Sequence, residues 1–177
     1  MNPTRTILGA ALGTGLAAGM LTALPAEPAA AAAPECTNAD LAVSFRLDGA
    51  AAGSVFGKLR YKNVSDHRCR TGGYGGLSFV GHRNGTQVGA AATRAPGTPV
   101  RSFVLRPGQR AVSLVQIAQT ANYPKAQCRP TKVDGFRVYV PDSYTSQFVR
   151  YRTTACASKA IRSVGAQLSH EALRKKH

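Results

Sequence analysis

From Leu41 onward the chain alternates. Leu41, Val43, Phe45 and Leu47 take every second position, and Ala42, Ser44 and Arg46 stand between them. That is the period-two pattern of a strand with one face buried. Val55, Gly57, Leu59 and Tyr61 repeat it against Phe56, Lys58, Arg60 and Lys62. Leu77 to His82 and Thr86 to Ala92 flank Asn84-Gly85, the pair most favoured in a type I′ hairpin turn, where both residues need positive φ. Arg101 to Leu105 reads as a further strand, stopped by Arg106-Pro107-Gly108-Gln109, and Ala111 to Ala118 resumes the alternation. Beyond a polar loop around Asn122 to Pro130 come Phe136 to Val140, ended by Pro141-Asp142, and then Gln147 to Thr154.

Seven or eight short strands with turn signals between them, and no strong helical stripe, predict an all-β chain. The expected architecture is an antiparallel two-sheet immunoglobulin-like sandwich over residues 34–168. Ile161, Val164 and Leu168 fit a helix face as well as a broken strand. Residues 169–177 read as a basic C-terminal tail, with Arg174, Lys175 and Lys176 expected to fray.

The first 33 residues follow another rule. Arg5 precedes a charge-free run from Ile7 to Leu24, and Ala29 to Ala33 offers small-x-small cleavage sites. A charged start, an apolar middle and a small-residue end predict a secretory signal peptide cut near Ala33. Glu35 before Cys36 rules out a lipoprotein site, and Arg5 stands without the second arginine of twin-arginine export. The mature protein is therefore expected to be secreted. Four cysteines in an exported chain, Cys36, Cys69, Cys128 and Cys156, predict two disulfides. None lies two to four residues from another, so zinc knuckles are not expected. Three connectivities are open; the favoured one is Cys36–Cys69 with Cys128–Cys156. Each bridge then closes about thirty residues, worth roughly 3–4 kcal/mol by loop entropy.

Charge adds the functional hint. The chain carries 23 basic and 8 acidic residues, a net charge of +15. Cleavage removes Arg5 and Glu27 and leaves that charge unchanged. Such a surface should attract polyanions. Arg137 and Tyr139 share one strand face, Arg150 and Arg152 line the next strand, and Lys58, Arg60 and Lys62 form a further row. These seven are the candidate polyanion-binding residues, through guanidinium–anion pairs and tyrosine stacking. The competing explanation is a solvated sheet face that is basic because the whole protein is.

Catalytic patterns are weak. Ser65-Asp66-His67 holds the residue types of a triad, but neighbours in one turn do not face each other as a relay must. Asp48, Asp66 and Asp142 read as turn residues, and paired cysteines leave no thiol nucleophile. Cys69-Arg70-Thr71-Gly72-Gly73-Tyr74-Gly75-Gly76 resembles a phosphate loop at a glance. It lacks the Gly-Lys-Ser/Thr ending and the following helix, so it reads as a bend with Tyr74 over the sheet edge. No catalytic site, metal or cofactor is expected.

Several landmarks occur together: the opening cysteine, Asn63-Val64-Ser65 shortly before Cys69, Gly73-Tyr74-Gly75, Leu105-Arg106-Pro107-Gly108, and Cys128 and Cys156 around a strand ending in Val140-Pro141. In their order and spacing the chain resembles domain of unknown function 4232, a family of secreted actinobacterial proteins, over roughly Glu35 to Cys156. The resemblance implies an immunoglobulin-like sandwich and export, and it supplies no catalytic residues. The expected function is a secreted, non-enzymatic binding module. Its partners would be anionic cell-wall or membrane-surface polymers, with no specific nucleic acid. A secreted hydrolase or enzyme inhibitor with an unrecognised site is the alternative, and a structural accessory of the cell wall a third reading. Asn63-Val64-Ser65 and Asn84-Gly85-Thr86 match the glycosylation acceptor pattern, but in a bacterial protein no glycan is expected.

Overall fold

Strand β1 (Leu41–Ala51) turns back into β2 (Ser54–Asn63) through a two-residue loop, Ala52-Gly53, both at positive φ. This computed structural model describes residues 32–163 and 165–176. The signal peptide expected over residues 1–33 lies outside them except for its last two residues, as does Val164. The type I′ geometry expected at Asn84-Gly85 thus occurs at Ala52-Gly53. The amide of Gln119 and the side chain of Asn122 both donate to the Gly53 carbonyl there. Asn84-Gly85 belongs instead to a four-residue loop, 82–85, because Asp134 accepts the Arg83 amide and holds the loop wide.

Twelve strands are found among the described residues. The larger sheet runs β1, β2, β8 (Arg110–Ala118), β11 (Leu168–His170) and β6 (Thr93–Arg94), with β12 (Arg174–Lys176) also on β8. The smaller sheet runs β10 (Ser146–Cys156), β9 (Pro130–Tyr139), β4 (Gly76–Gly81) and β5 (Thr86–Val88). A separate pair joins β3 (Cys69–Gly72) to β7 (Ser102–Leu105). All pairings between these strands are antiparallel except β11 with β6, and an isolated parallel bridge joins Glu35 to Arg70. Four strands more than the upper expectation are present because β3, β6, β11 and β12 span only two to four residues. That is too short for alternation to show.

The C-terminus departs most from expectation. Residues 174–176 do not fray; they pair with Arg110, Ala111 and Val112. β2 occupies one edge of β8, which leaves the other edge with free backbone groups, and fully buried Ala172 and Leu173 anchor the returning chain beside it.

One buried cluster takes Leu59, Tyr61 and Val115 from the larger sheet and Phe79, Phe136 and Val138 from the smaller. Phe136 stacks between Phe79 and Tyr151, at 5.1 and 5.2 Å, and Phe45 meets it edge-on from β1. The inward faces of both sheets therefore share this core, and their other faces point away from each other.

Two disulfides close the structure in the favoured connectivity. Cys36–Cys69 ties the described N-terminus to β3, where Glu35 also pairs with Arg70 at 2.6 Å. Cys128–Cys156 joins the short helix α1 (Lys125–Cys128) to the end of β10. The glycine stretch is a bend from β3 into β4. A Cβ on Gly75 would stand 2.2 Å from the Tyr139 carbonyl oxygen, so only glycine fits. Tyr74 reaches the β6 edge, donating its hydroxyl to the Ala95 carbonyl.

Candidate polyanion-binding faces

Residues directly opposite in paired strands project from the same face of a sheet. On the outward face of the larger sheet, Lys62 of β2 stands opposite Arg110 of β8, which stands opposite Lys176 of β12. Two residues along lies a second row, Arg60, Val112 and Arg174. The third row places Arg46 of β1 opposite Lys58. Strands lie about 4.8 Å apart and alternate residues about 7 Å. The result is a cationic plane across four strands: Arg46, Lys58, Arg60, Lys62, Arg110, Arg174 and Lys176.

Asp48 answers it with one carboxylate, bonded to Lys58 at 2.6 Å. That bond, with Arg46 and Arg60 nearby, holds the Asp48 carboxyl below the usual range. Like charges about 5 Å apart in water repel by up to about 0.8 kcal/mol per pair. The row Lys58, Arg60 and Lys62 was visible in the sequence; its extension by Arg110, Arg174 and Lys176 was not, since it depends on which strands β8 accepts.

The smaller sheet carries a different site on its own outward face. Arg83, Arg150 and Arg152 border a groove of about 430 Å³ together with Phe148, Val80, Gly85 and Asp134. Phe148 is 59% exposed, and its ring lies over Gly135, where a Cβ would come within 2.8 Å of it. A bulge between Arg150 and Thr153 puts an extra residue on β10. Bulges re-aim side chains and recur beside binding sites. Arg150 and Arg152 are both exposed, while the alternate residues Val149 and Tyr151 turn to the core.

The seven sequence candidates therefore do not form one site. Lys58, Arg60 and Lys62 lie on one side of the shared core, and Arg150 and Arg152 on the other. Arg137 stands opposite Phe148 on the face of Arg150 and Arg152, and its Nη2 donates to the Gly85 carbonyl at 2.5 Å, bracing the β4–β5 loop at the groove's border. Tyr139 covers Gly76 and lines a separate cleft with Tyr74, Arg94 and the wholly exposed Tyr144.

The Ser65-Asp66-His67 turn pairs Asp66 with His67 at 3.1 Å but directs the Ser65 hydroxyl to Asn63 instead of the imidazole. The Ser65 hydroxyl donates to Asn63 Oδ1 at 2.7 Å, and the His67 ring lies between Asp66 and Asp40. A second serine–histidine pair, unmarked in the sequence, sits in the interior. His170 Nδ1 is 3.3 Å from the Ser113 hydroxyl, which donates to the Glu171 carbonyl at 2.6 Å. Both residues are buried, and Tyr74 meets the imidazole edge-on. Burial pushes the His170 pKa down, the nearby Arg94 charge adds to that, and a bond to the Glu171 backbone opposes it. No cluster of three or more metal-ligating side chains occurs among the described residues.

Two disulfides fit an oxidising compartment. Among the described residues no helix is long and apolar enough to cross a membrane. One family model, described as a domain of unknown function (DUF4232), matches residues 36–169. Among curated proteins and among solved structures, none matches the chain.

Proposed function

From a chain that belongs to the DUF4232 family, whose description assigns no activity, we propose a secreted, non-enzymatic binding module that associates with anionic polymers of the cell envelope. The leader segment is a cleaved signal peptide in this reading, and the paired sheets are an immunoglobulin-like sandwich held by two disulfides. The observation that carries it is the cationic plane. Lys62, Arg110 and Lys176 form one row and Arg60 and Arg174 the next, and one of the seven cations, Lys58, is paired with Asp48. A lattice of cations about 5 by 7 Å suits a repeating polyanion, since successive phosphates or carboxylates can each meet a positive group.

Cosedimentation of the oxidised mature protein with isolated envelopes tests it, across a salt titration and beside a neutral sandwich domain. Association should fall steeply as salt rises, because exposed charges are screened within about 8 Å at physiological ionic strength. Replacing Arg60, Arg110 and Arg174 together by Glu should weaken it by at least about tenfold, two to three exposed pairs each contributing up to about 1 kcal/mol. Association indifferent to both salt and charge reversal would sink the reading.

A further inference from the structure

We infer that the protein cross-links anionic polymer strands by holding one on each side of the molecule. The inference rests on the polyanion-binding reading and goes beyond it to an activity that a single face does not have.

Two observations carry it. The first is that cationic groups collect on both outward faces and not on one. Arg60, Lys62, Arg110, Arg174 and Lys176 lie on the larger sheet, and Arg83, Arg150 and Arg152 border the groove on the smaller one. The shared core, with Phe45, Phe136 and Tyr151 in ring contact, separates them. The second is the difference between the two sites. The plane is an array of cations spread over four strands, with the uncharged Val112 and Leu114 between them. The groove is concave and puts the exposed ring of Phe148 among its arginines, so it grips a strand locally by charge and apolar contact together.

Distance makes the two sites independent. Packed sheets lie about 10 Å apart, and side chains extend outward on both sides, so the charge layers stand on the order of 20 Å apart. That exceeds twice the screening length at physiological ionic strength. A polyanion on one face leaves the charge on the other almost unneutralised, and the second face remains open to another strand. Once one strand is held, neighbouring strands in a dense polymer mesh meet the second face at high effective concentration. The occupant that fits both faces is a polymer of phosphodiester repeats. Its closely spaced anions match the plane, and the carbon segments between phosphates match Phe148.

Poly(glycerol phosphate), a phosphodiester polymer with a carbon segment between successive phosphates, serves as the probe, with light scattering to read cross-linking and fluorescence anisotropy of labelled polymer to read binding. Scattering should rise and then fall as protein is added, because excess protein gives every strand its own molecules. The double variant Arg150→Gln/Arg152→Gln should still bind, yet scatter at least about tenfold less, as expected when a bivalent linker becomes monovalent. Arg106→Gln/Lys125→Gln removes the same charge from exposed turn and helix positions and should scatter like the parent.

Undiminished scattering by the groove variant would overturn the inference. So would equal loss in the charge-matched control, which would make the effect one of total charge. Binding by the parent without scattering would overturn cross-linking and leave the polyanion reading intact. Absence of binding would remove both. A probe without phosphates, poly-glutamate, should bind the plane but network less. Equal networking there would overturn the phosphodiester assignment.

Discussion

Asn63 is fully buried at the end of β2, and each polar atom of its side chain is engaged. Nδ2 donates to the carbonyls of His67 and Leu105, at 2.9 and 3.0 Å, and Oδ1 accepts from the amide and the hydroxyl of Ser65. Asn63→Ala would leave the buried Leu105 carbonyl without its donor and release the half-exposed turn at Ser65 and His67, at a cost of about 1–3 kcal/mol, measurable as a lower urea midpoint with unchanged slope. The folded chain also leaves no room for a glycan on Asn63, though it matches the acceptor pattern. His170 predicts a pH effect. Its folded pKa lies below the ordinary 6.5, so the unfolded chain binds a proton that the folded chain resists. The stability it contributes is complete above the unfolded value and is lost as pH falls through the folded one. Urea unfolding from pH 8 to pH 4 should show that loss, and His170→Gln should flatten it. An equal acid slope in the variant would place the proton uptake elsewhere. The buried pair with Ser113 was hidden in the sequence because 57 residues separate the two.

Among the elements, β12 changes most between expectation and structure. Arg174, Lys175 and Lys176 in a row carry no alternation, and a charged C-terminal end ordinarily frays. Its order comes from outside the segment: a free edge on β8, the buried Leu173 side chain, and Lys175 donating to the Val104 carbonyl at 2.9 Å. The backbone amides that pair with β8 should exchange with solvent as slowly as neighbouring strand amides; free-tail rates would refute the pairing. Deleting residues 174–177 should weaken polyanion binding while the groove of Arg150 and Arg152 keeps its own share. The longer strands were readable because each alternates over several residues with turn residues at its ends, as β1, β2 and β8 do. Gln147 shows a different limit. It donates to the carbonyls of Asn38 and Leu41 and accepts the Val43 amide, fastening β10 to β1 across two sheets. No local pattern marks a glutamine for that task.

For the whole molecule, the crowding of cations on one face predicts that salt stabilises the fold while it weakens binding. Moderate salt should raise the melting temperature by a few degrees, roughly the effect of 1 kcal/mol in a domain of this size, since screening relieves like-charge repulsion that folding imposes. A charge-reversed plane should lose that response. Reducing both disulfides should cost more than either alone, each worth about 3–4 kcal/mol by loop entropy. The sequence by itself determined the properties that depend on order along the chain: strand alternation, an even number of cysteines, the turn residues, and an excess of positive charge. Each is written within a few residues or in a simple count. Only the tertiary structure decided which cations meet. Lys62, Arg110 and Lys176 become neighbours because β8 accepts β2 on one edge and β12 on the other, and Arg150 parts from Arg60 because the core lies between their sheets. Strand order and facing are settled by burial and backbone pairing among distant segments, so the arrangement of charge follows from packing that no local pattern encodes.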